Sequence, residues 1–283
     1  MKRAALLLLL ALRLPAETVD VGVFTLFRPT ELRIESAGTP LVLADGAISV
    51  TLEGRQSAEI HLSSNRSVIH VGARDGSPAD FILSIPGKIR RRFQGSLTIQ
   101  PGAHYLRAIV SMDLETAVAS VVAAESRPGT PFEALKAQAL VARSYYAASP
   151  ARHDRFEYCD TTHCQFLREP PAANSPAARA AIETRGLVLS YRGKIFPALY
   201  SASCGGETRA LAEPGFGYPY FAVHCDYCRR HRQGVVEGHQ LGLCQRGAAG
   251  MAAQGASARE ILDHYYPSVT IEQASPATLA RLH

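Results

Sequence analysis

The stretch that decides the fold is "DLETAVASVVAAESRPGTPFEALKAQALVARSYYAAS", residues 113–149. Its first part predicts a helix whose apolar side chains recur at helical spacing on one face, namely Leu114, Val118, Val121 and Val122. The second part predicts another helix, with Thr130 as N-cap, Pro131 at the first position and Glu133 completing a capping box. These two consecutive helices show that the type of predicted secondary structure changes near residue 113.

Residues 18–111, before this stretch, show short alternating segments separated by turn signals such as "AGTP" and "RDGSP". Eight segments predict strands: "VDVGVFTLF", "ELRIES", "AISVTLE", "AEIHLS", "SVIHVG", "FILSIP", "GSLTIQ" and "YLRAIVS". After it, "SPAARAAIETRG" and "SAREILDHYYP" predict short helices, and "GLVLSYRGKIFPALYSAS" predicts a hairpin that turns at Arg192-Gly193. We therefore expect an α+β protein, in which a β-rich module (17–111) packs on an α+β region (112–283) without a linker.

The N-terminus "MKRAALLLLLALRLPAETVD" is typical of a secretory signal peptide. Lys2 and Arg3 precede an apolar run, Ala4–Leu12, that is too short to span a bilayer, and Ala16 is a suitable cleavage point. We expect residues 1–16 to be removed and the protein to be secreted, periplasmic or in the cell wall, peripheral to a membrane at most. Without the signal the formal charge falls from +5 to about +2, which argues against a nucleic-acid partner.

Six cysteines all lie after residue 158. The segment "HDRFEYCDTTHCQ" (153–165) holds two histidines and two cysteines, a combination that suits a disulfide, a metal site or a thiol nucleophile. Further on, "HCDYC" supplies Cys225 and Cys228, which could complete such a site, form their own disulfide, or pair with Cys204 or Cys244. Spacing alone leaves these alternatives open.

Glu125 is a carboxylate on the apolar stripe of the first helix, two turns after Val118. Partial burial and the negative end of the helix dipole both raise the pKa of a carboxyl group. A carboxylic acid that stays protonated near neutrality is a suitable general acid. The alternative is that Glu125 ends the helix in solvent or pairs with Arg127 or Lys136.

Four ordered motifs resemble the SpoIID/LytB family, which includes sporulation protein D and an amidase enhancer of the bacterial cell wall. These motifs are "LETAVASVVAAESRPGTPFEALKAQALVARSYY", "DTTHCQ", "TRGLVLSYRGKIFPALYSASCGGET" and "GHQLGLCQRGAAGMAAQGASAREILDHYYP". The resemblance covers roughly residues 90–271 and implies a lytic transglycosylase. Such an enzyme cleaves MurNAc–GlcNAc bonds of denuded peptidoglycan and leaves 1,6-anhydroMurNAc ends. The family's enhancer branch implies the alternative, a glycan-binding accessory protein that assists a cell-wall amidase without cutting.

The resemblance also assigns roles to individual residues. Glu125 matches the catalytic glutamate, which acts as the single general acid/base, and no second acid in the motifs is an obvious partner. A mainly structural zinc is implied near the active site, with His153, Cys159 and Cys164 as ligands and His163 as an extra or alternative ligand. Cysteine thiolates and imidazoles at short spacing suit tetrahedral Zn²⁺.

Within the matched motifs, several polar residues are candidates for binding the glycan. The end of a predicted strand supplies Tyr200, Ser201 and Ser203, and a glycine pair, Gly205 and Gly206, follows it. The two glycines would either let backbone N–H groups approach a sugar closely or simply make a tight turn. His239 is expected to bind substrate or orient Glu125, with a core position as the alternative. The other candidates are Arg143, Gln165 and Gln245, and either Tyr200 or Tyr218 could stack on a sugar because the chain lacks Trp.

Overall fold

The computed structural model describes residues 17–46, 48–63, 67–212, 215, 217–231 and 233–275. The predicted signal peptide, residues 1–16, lies outside these residues. The α+β class is confirmed: a large β-sheet region comes first and a mixed region follows. Within the described residues no helix is long and apolar enough to cross a membrane.

Within the described residues, nine strands form the first region. They are β1 (Thr18–Val23), β2 (Glu31–Ser36), β3 (Leu41–Ala44), β4 (Ser49–Leu52), β5 (Ser57–His61), β6 (Ile69–Ala73), β7 (Ala79–Ile85), β8 (Ile89–Pro101) and β9 (Leu106–Asp113). All eight predicted strands are present. The sequence reasoning missed β3, because its four residues are too few to show a clear alternation between two turns. Burial alternates along β2, so that one face of the sheet meets the core.

Strand β8 belongs to two parts of the sheet. Its first half pairs with β7, and its second half pairs with β9 and β6. Between the halves Gly95 has a φ of 133°, where a Cβ atom would collide with the carbonyl oxygen of Ser111. Only glycine permits this close approach, so Gly95 lets one strand connect the two parts.

The two regions share a sheet. Strand β1 runs antiparallel to β9 and parallel to a short strand of the second region, β10 (Tyr158–Cys159). Behind β10, both oxygens of Asp160 are used: Oδ2 accepts hydrogen bonds from the Phe24 N–H (3.1 Å) and from Arg91 (3.0 Å), and Oδ1 accepts one from the Thr25 hydroxyl (3.3 Å). The loop that carries the first cysteines is thereby fixed to the β-rich region.

The part of the second region that the structure describes contains six helices, α1 (Leu114–Glu125), α2 (Phe132–Ala148), α3 (Pro176–Glu183), α4 (Asp226–His231), α5 (Gln245–Ala253) and α6 (Ala258–Tyr265). Between them lie β11 (Leu187–Tyr191), β12 (Lys194–Ile195), β13 (Tyr200–Ser201), β14 (Ser203–Cys204), β15 (Val236–Glu237), β16 (Leu243–Cys244) and β17 (Thr270–Gln273). The predicted hairpin is β11–β12, and both turn residues, Arg192 and Gly193, have positive φ. Helices α4 and α5 were not predicted, since one is very short and the other is rich in glycine and alanine.

The predicted capping box of α2 is wrong. Its N-cap is Pro131, which offers no side-chain hydrogen bond, and the Thr130 hydroxyl donates to the Arg127 carbonyl instead. Glu133 pairs with Lys136 (2.6 Å) and accepts from the backbone N–H of Ala258 (2.7 Å). A tertiary contact with α6 has thus replaced the local cap.

The buried side chains form two clusters. One lies between the β-rich sheet and α1, and the other surrounds α5, α6 and β11. Helix α2 contributes to both, with Ala139 and Ala142 facing the first and Ala137 and Val141 facing the second. A helix buried on nearly all sides explains why its sequence is rich in alanine. It also holds α1 at a fixed distance from the segments that follow residue 186.

Candidate functional site

Glu125 is the last residue of α1, and its side chain is half-buried. Its Oε1 atom accepts hydrogen bonds from the Phe166 N–H (3.2 Å) and the Tyr200 hydroxyl (3.3 Å). Neither alternative partner binds it: Lys136 pairs with Glu133, and the side chain of Arg127 makes no ion pair within the described residues. The carboxyl group therefore faces a cleft while one oxygen is held.

The pKa of Glu125 is raised above its ordinary value, and the main cause is desolvation by burial. The hydrogen bonds from Phe166 and Tyr200 and the positive charge of Arg168 act in the opposite direction but do not outweigh it. A raised pKa keeps a proton on the group closer to neutral pH. The direction agrees with the one that the sequence predicts.

Two recesses of about 330 Å³ and 320 Å³ meet at Glu125. Both are also lined by Ala202 and Gln245, so the two form one continuous cleft. The first recess runs along the loop 126–131 that joins α1 to α2. The second runs past Tyr200 towards Cys164.

The two glutamines position the groups around Glu125. Gln165 is buried; its Oε1 accepts from the Tyr200 hydroxyl (3.3 Å) while its Nε2 donates to the Ala142 carbonyl (3.1 Å). Gln245, the first residue of α5, donates from Nε2 to the carbonyl oxygen of Glu125 (3.3 Å). The end of α1 is thus connected to α5, and Tyr200 is held between two acceptors.

Ser201 and His239 line the second recess. The hydroxyl of Ser201 is buried, and the described residues offer it no hydrogen-bond partner. Nδ1 of His239 accepts from the Leu241 N–H (3.0 Å), which places the ring proton of the neutral imidazole on Nε2. The exposed ring of His239 can therefore bind a polar group that enters the recess.

The first metal cluster, made of two histidines and two cysteines, lies at the end of this recess, where Cys164 contributes to the wall. The ligand atoms of His153, Cys159, His163 and Cys164 lie within 4.8 Å of one another. Sγ of Cys164 is 3.4 Å from Nε2 of His153 and 3.6 Å from Nδ1 of His163, and Sγ of Cys159 is 3.8 Å from the same Nδ1. None of the six cysteines forms a disulfide here. Two sulfur and two nitrogen atoms at these distances match a tetrahedral metal site.

Residues 103–191 match the family model of the Stage II sporulation protein, SpoIID. The chain contains a SpoIID domain. The matched residues include Glu125 and the cluster of two histidines and two cysteines, whereas Tyr200, His239 and Gln245 follow them in the chain. An uncharacterized protein of Brachyspira hyodysenteriae is 34% identical over 128 residues, or 44% of this chain. The alignment spans about a third of that relative, 34% of its length.

One predicted substrate ligand of the SpoIID domain, Arg143, lies elsewhere. Its side chain is fully buried, and its guanidinium binds both oxygens of Glu115 at 2.9 Å and 2.6 Å. The remaining N–H groups donate to the carbonyl oxygens of Leu187 (3.0 Å) and Ala181 (3.1 Å). With its donors used inside the core, Arg143 fixes α1 to α3 and β11 and does not reach the cleft.

Ser203 and the glycine pair are also absent from the walls of the two recesses. Ser203 is buried and donates to the carbonyl oxygen of Val235 (2.7 Å). Gly205 and Gly206 both have positive φ, 72° and 133°, and their carbonyl oxygens accept from Gly234 and Cys225. The alternative of a tight turn is therefore correct, and these residues shape the loop around the later cysteines.

Tyr218 cannot stack on a sugar, because its ring is buried against Phe196 with the ring centroids 4.3 Å apart. The prediction of a second stacking residue is wrong for this position. Tyr220, the other tyrosine of "GYPYF", is buried as well, so this segment offers no tyrosine ring to a sugar.

Three charged residues that line the cleft, Arg127, Glu237 and Arg246, were missed by the sequence reasoning. Arg127 is exposed in the first recess, and its guanidinium has no partner within the described residues. Glu237 lies in the second recess and pairs with Arg246 at 3.2 Å. The position of Arg127, two residues after Glu125, could have indicated it. Nothing in the sequence near Glu237 shows that β15 returns to the cleft.

Proposed function

We propose that this chain is a lytic transglycosylase that cleaves denuded peptidoglycan strands, with Glu125 as its general acid/base. The SpoIID domain supports a role at the cell wall. The observation that carries the specific activity is the carboxyl group of Glu125, which combines a raised pKa with a place where two recesses meet. A glycan strand that lies along both recesses brings one of its glycosidic bonds to this group.

The proposed reaction uses one carboxyl group in two successive proton transfers. Protonated Glu125 donates its proton to the glycosidic oxygen between MurNAc and GlcNAc, and the bond from that oxygen to C1 of MurNAc breaks. The C6 hydroxyl of the same MurNAc attacks C1 and gives its proton to the Glu125 carboxylate. The products are a 1,6-anhydroMurNAc end and a free GlcNAc hydroxyl, and Glu125 is protonated again. No water is consumed.

Tyr200 and Gln165 support this cycle as positioning residues. The Tyr200 hydroxyl donates to Oε1 of Glu125 and so stabilises the carboxylate formed after the first proton transfer. No hydrogen bond to Oε2 of Glu125 is found within the described residues, which leaves that oxygen for the substrate. Before the first proton transfer, burial favours the protonated form of Glu125. After the transfer, the hydrogen bonds from Phe166 and Tyr200 reduce the free-energy cost of the partly buried carboxylate.

The negative charge of a denuded strand fits the guanidinium of Arg127, which is exposed in the first recess. Removal of the stem peptide leaves a lactyl carboxylate on each MurNAc, and Arg127 can bind it through a bidentate ion pair. Arg127 thus replaces Arg143 as the expected reader of the denuded strand. An amidase that removes stem peptides would supply this substrate.

The first metal cluster, His153, Cys159, His163 and Cys164, fits one Zn²⁺. When bound, the ion would stabilise the loop 153–165, which continues directly into Gln165 and Phe166. Its role is structural, since the acid/base chemistry is assigned to Glu125. Export through the predicted signal peptide, which lies outside the described residues, would bring the protein to the wall.

The deciding experiment incubates the protein, without residues 1–16, with denuded glycan strands and measures product masses. Products one water lighter than the hydrolytic ones support the transglycosylase. Products with a reducing MurNAc would indicate a muramidase, in which case Glu237→Gln tests the second carboxylate of the cleft. Binding without cleavage would support the accessory-protein alternative.

A further inference from the structure

Four cysteines outside the first metal cluster converge in the second half of the chain. Cys204 ends β14, Cys225 precedes α4, Cys228 lies within α4, and Cys244 ends β16. Each is at most 1% exposed, and all four sulfur atoms lie within 4.8 Å of one another. Three segments, the end of β14, the start of α4 and the end of β16, therefore place four sulfur atoms around one buried point, although Cys204 and Cys244 are 40 residues apart.

The spacing matches a single tetrahedral ion. Zinc–sulfur bonds of about 2.3 Å in a tetrahedron place the sulfur atoms about 3.8 Å apart. Sγ of Cys228 and Sγ of Cys244 are 3.5 Å apart, far from the bond length of about 2.05 Å in a disulfide. A cluster of several irons would separate the thiolates further, because the irons and sulfides lie between them.

The surroundings supply hydrogen-bond donors to the sulfur atoms. The backbone N–H of Gly247 points to Sγ of Cys244 at 3.4 Å. The Tyr265 hydroxyl is buried, and its only partner within the described residues is Sγ of Cys225, at 3.2 Å. At this distance the Tyr265 hydroxyl can donate to a Cys225 thiolate, which is the pattern expected around thiolates that bind a metal.

Gly247 is a further sign of a built site. A Cβ atom at this position would collide with Sγ of Cys225 and with the Tyr265 hydroxyl. Helix α5 can therefore approach the four sulfur atoms only because residue 247 has no side chain.

We propose that Cys204, Cys225, Cys228 and Cys244 form a second metal site, a tetrathiolate that binds one structural Zn²⁺. The site is separate from the first cluster and does not depend on the proposed glycan cleavage. The segments it joins form one wall of the cleft. Cys244 directly precedes Gln245, and the Cys204 carbonyl accepts from Nε2 of Gln240 (2.9 Å), next to His239. Their strands, β14, β15 and β16, contain only two residues each, so hydrogen bonding alone holds this wall weakly.

The test is the zinc content of the full chain purified under mildly reducing conditions. Wild type should contain two zinc ions, Cys225→Ser/Cys228→Ser one, Cys159→Ala/Cys164→Ala one, and the fourfold variant none. If Cys225→Ser/Cys228→Ser fails to fold, two measurements remain. Titration of wild type with an organomercurial should release two zinc ions, and Co²⁺ bound to Cys159→Ala/Cys164→Ala should show the intense sulfur-to-cobalt absorption of four thiolates.

Wild type with at most one zinc, lost on Cys159→Ala/Cys164→Ala, would overturn the proposal. So would an intact mass four hydrogens lighter that maps to disulfides among the four cysteines. Iron in place of zinc in wild type would overturn the assignment of the ion. A zinc that remains in Cys159→Ala/Cys164→Ala supports the site even if the first cluster holds no metal and the chain cuts no glycan.

Discussion

The Tyr200 hydroxyl bridges two oxygens: Oε1 of Glu125 and Oε1 of Gln165, each 3.3 Å away. It can donate its proton to only one of them at a time. When Glu125 is ionised the carboxylate is the stronger acceptor, and when Glu125 is protonated the hydroxyl can turn to Gln165. With these two acceptors, the Tyr200 O–H bond can rotate as the protonation state of Glu125 changes, while the ring stays in place.

Tyr200→Phe should lower the rate of glycan cleavage by about 3- to 10-fold, the value of one hydrogen bond of 0.5–1.5 kcal/mol. The hydrogen bond lowers the pKa of Glu125, so its loss should raise that pKa further. Activity that requires the protonated acid is lost as the pH rises through this pKa. The alkaline limb of the pH–rate profile should therefore move to higher pH, whereas Tyr105→Phe, in the β-rich region, should leave it unchanged. An unmoved limb would contradict the assigned contact.

Glu125→Gln should reduce cleavage of denuded strands by about 10²- to 10⁴-fold, because the amide can neither donate nor regain the proton. Strand binding and zinc content should persist. Glu183→Gln, an exposed change on α3, is the matched control and should cut at the wild-type rate. Wild-type activity in Glu125→Gln would show that another group is the acid.

Glu125→Gln should also change stability in a pH-dependent way. The pKa of Glu125 is raised in the folded protein, so the native state binds this proton more tightly than the unfolded state. The stability that Glu125 contributes is full below its unfolded pKa and is lost as the pH rises through the folded pKa. Thermal unfolding should show Glu125→Gln gaining on wild type as the pH rises from 4 to 8. A constant difference would argue against a raised pKa.

Cys159→Ala should remove one zinc ion from the protein, since the remaining ligands of the first cluster no longer complete a tetrahedron. Metal analysis measures the loss. Because the loop continues into Phe166, whose N–H binds Glu125, cleavage should fall as well. Zinc content equal to wild type, or an intact wild-type mass two hydrogens lighter across residues 159–164, would favour the disulfide instead.

Arg143→Met should destabilise the fold by about 3–5 kcal/mol, because it leaves Glu115 as an unpaired, largely buried charge. Urea denaturation measures this loss. Arg179→Met, which breaks an exposed pair with Glu183, should cost no more than about 1 kcal/mol. An Arg143→Met protein of normal stability with weakened strand binding would restore the role in substrate binding that the sequence predicts.

The sequence predicts the fold well where patterns are local. The alternating strands, the apolar face of α1 and the short helix α6 are all present. The sequence predicts less about the contacts of a side chain whose partner lies far away along the chain. The polar residues Arg143 and Glu125 both lie in matched motifs, yet one is buried in an ion pair and the other faces a cleft. Only the three-dimensional neighbours, Glu115 for the first and Tyr200 for the second, distinguish them.

The candidate site shows the same limit. Glu125 and the first metal cluster could be predicted because each is defined within a few residues of sequence. Four candidates that line the second recess, near 200, 239 and 245, could be named only through the family resemblance, since these segments approach one another only after folding. Because the later cysteines are far apart along the chain, the sequence could not decide among the alternatives for their grouping.

The meeting of two recesses at Glu125 has a consequence for the pattern of cutting. A closed pocket would admit only the terminus of a strand and would release units one at a time from that end. A cleft that continues on both sides of the acid can receive the middle of a polymer, with sugar units on either side of the scissile bond. If the chain cleaves glycan as proposed, this shape predicts an endo-acting mode, in which long strands are first broken into large fragments and end groups accumulate early.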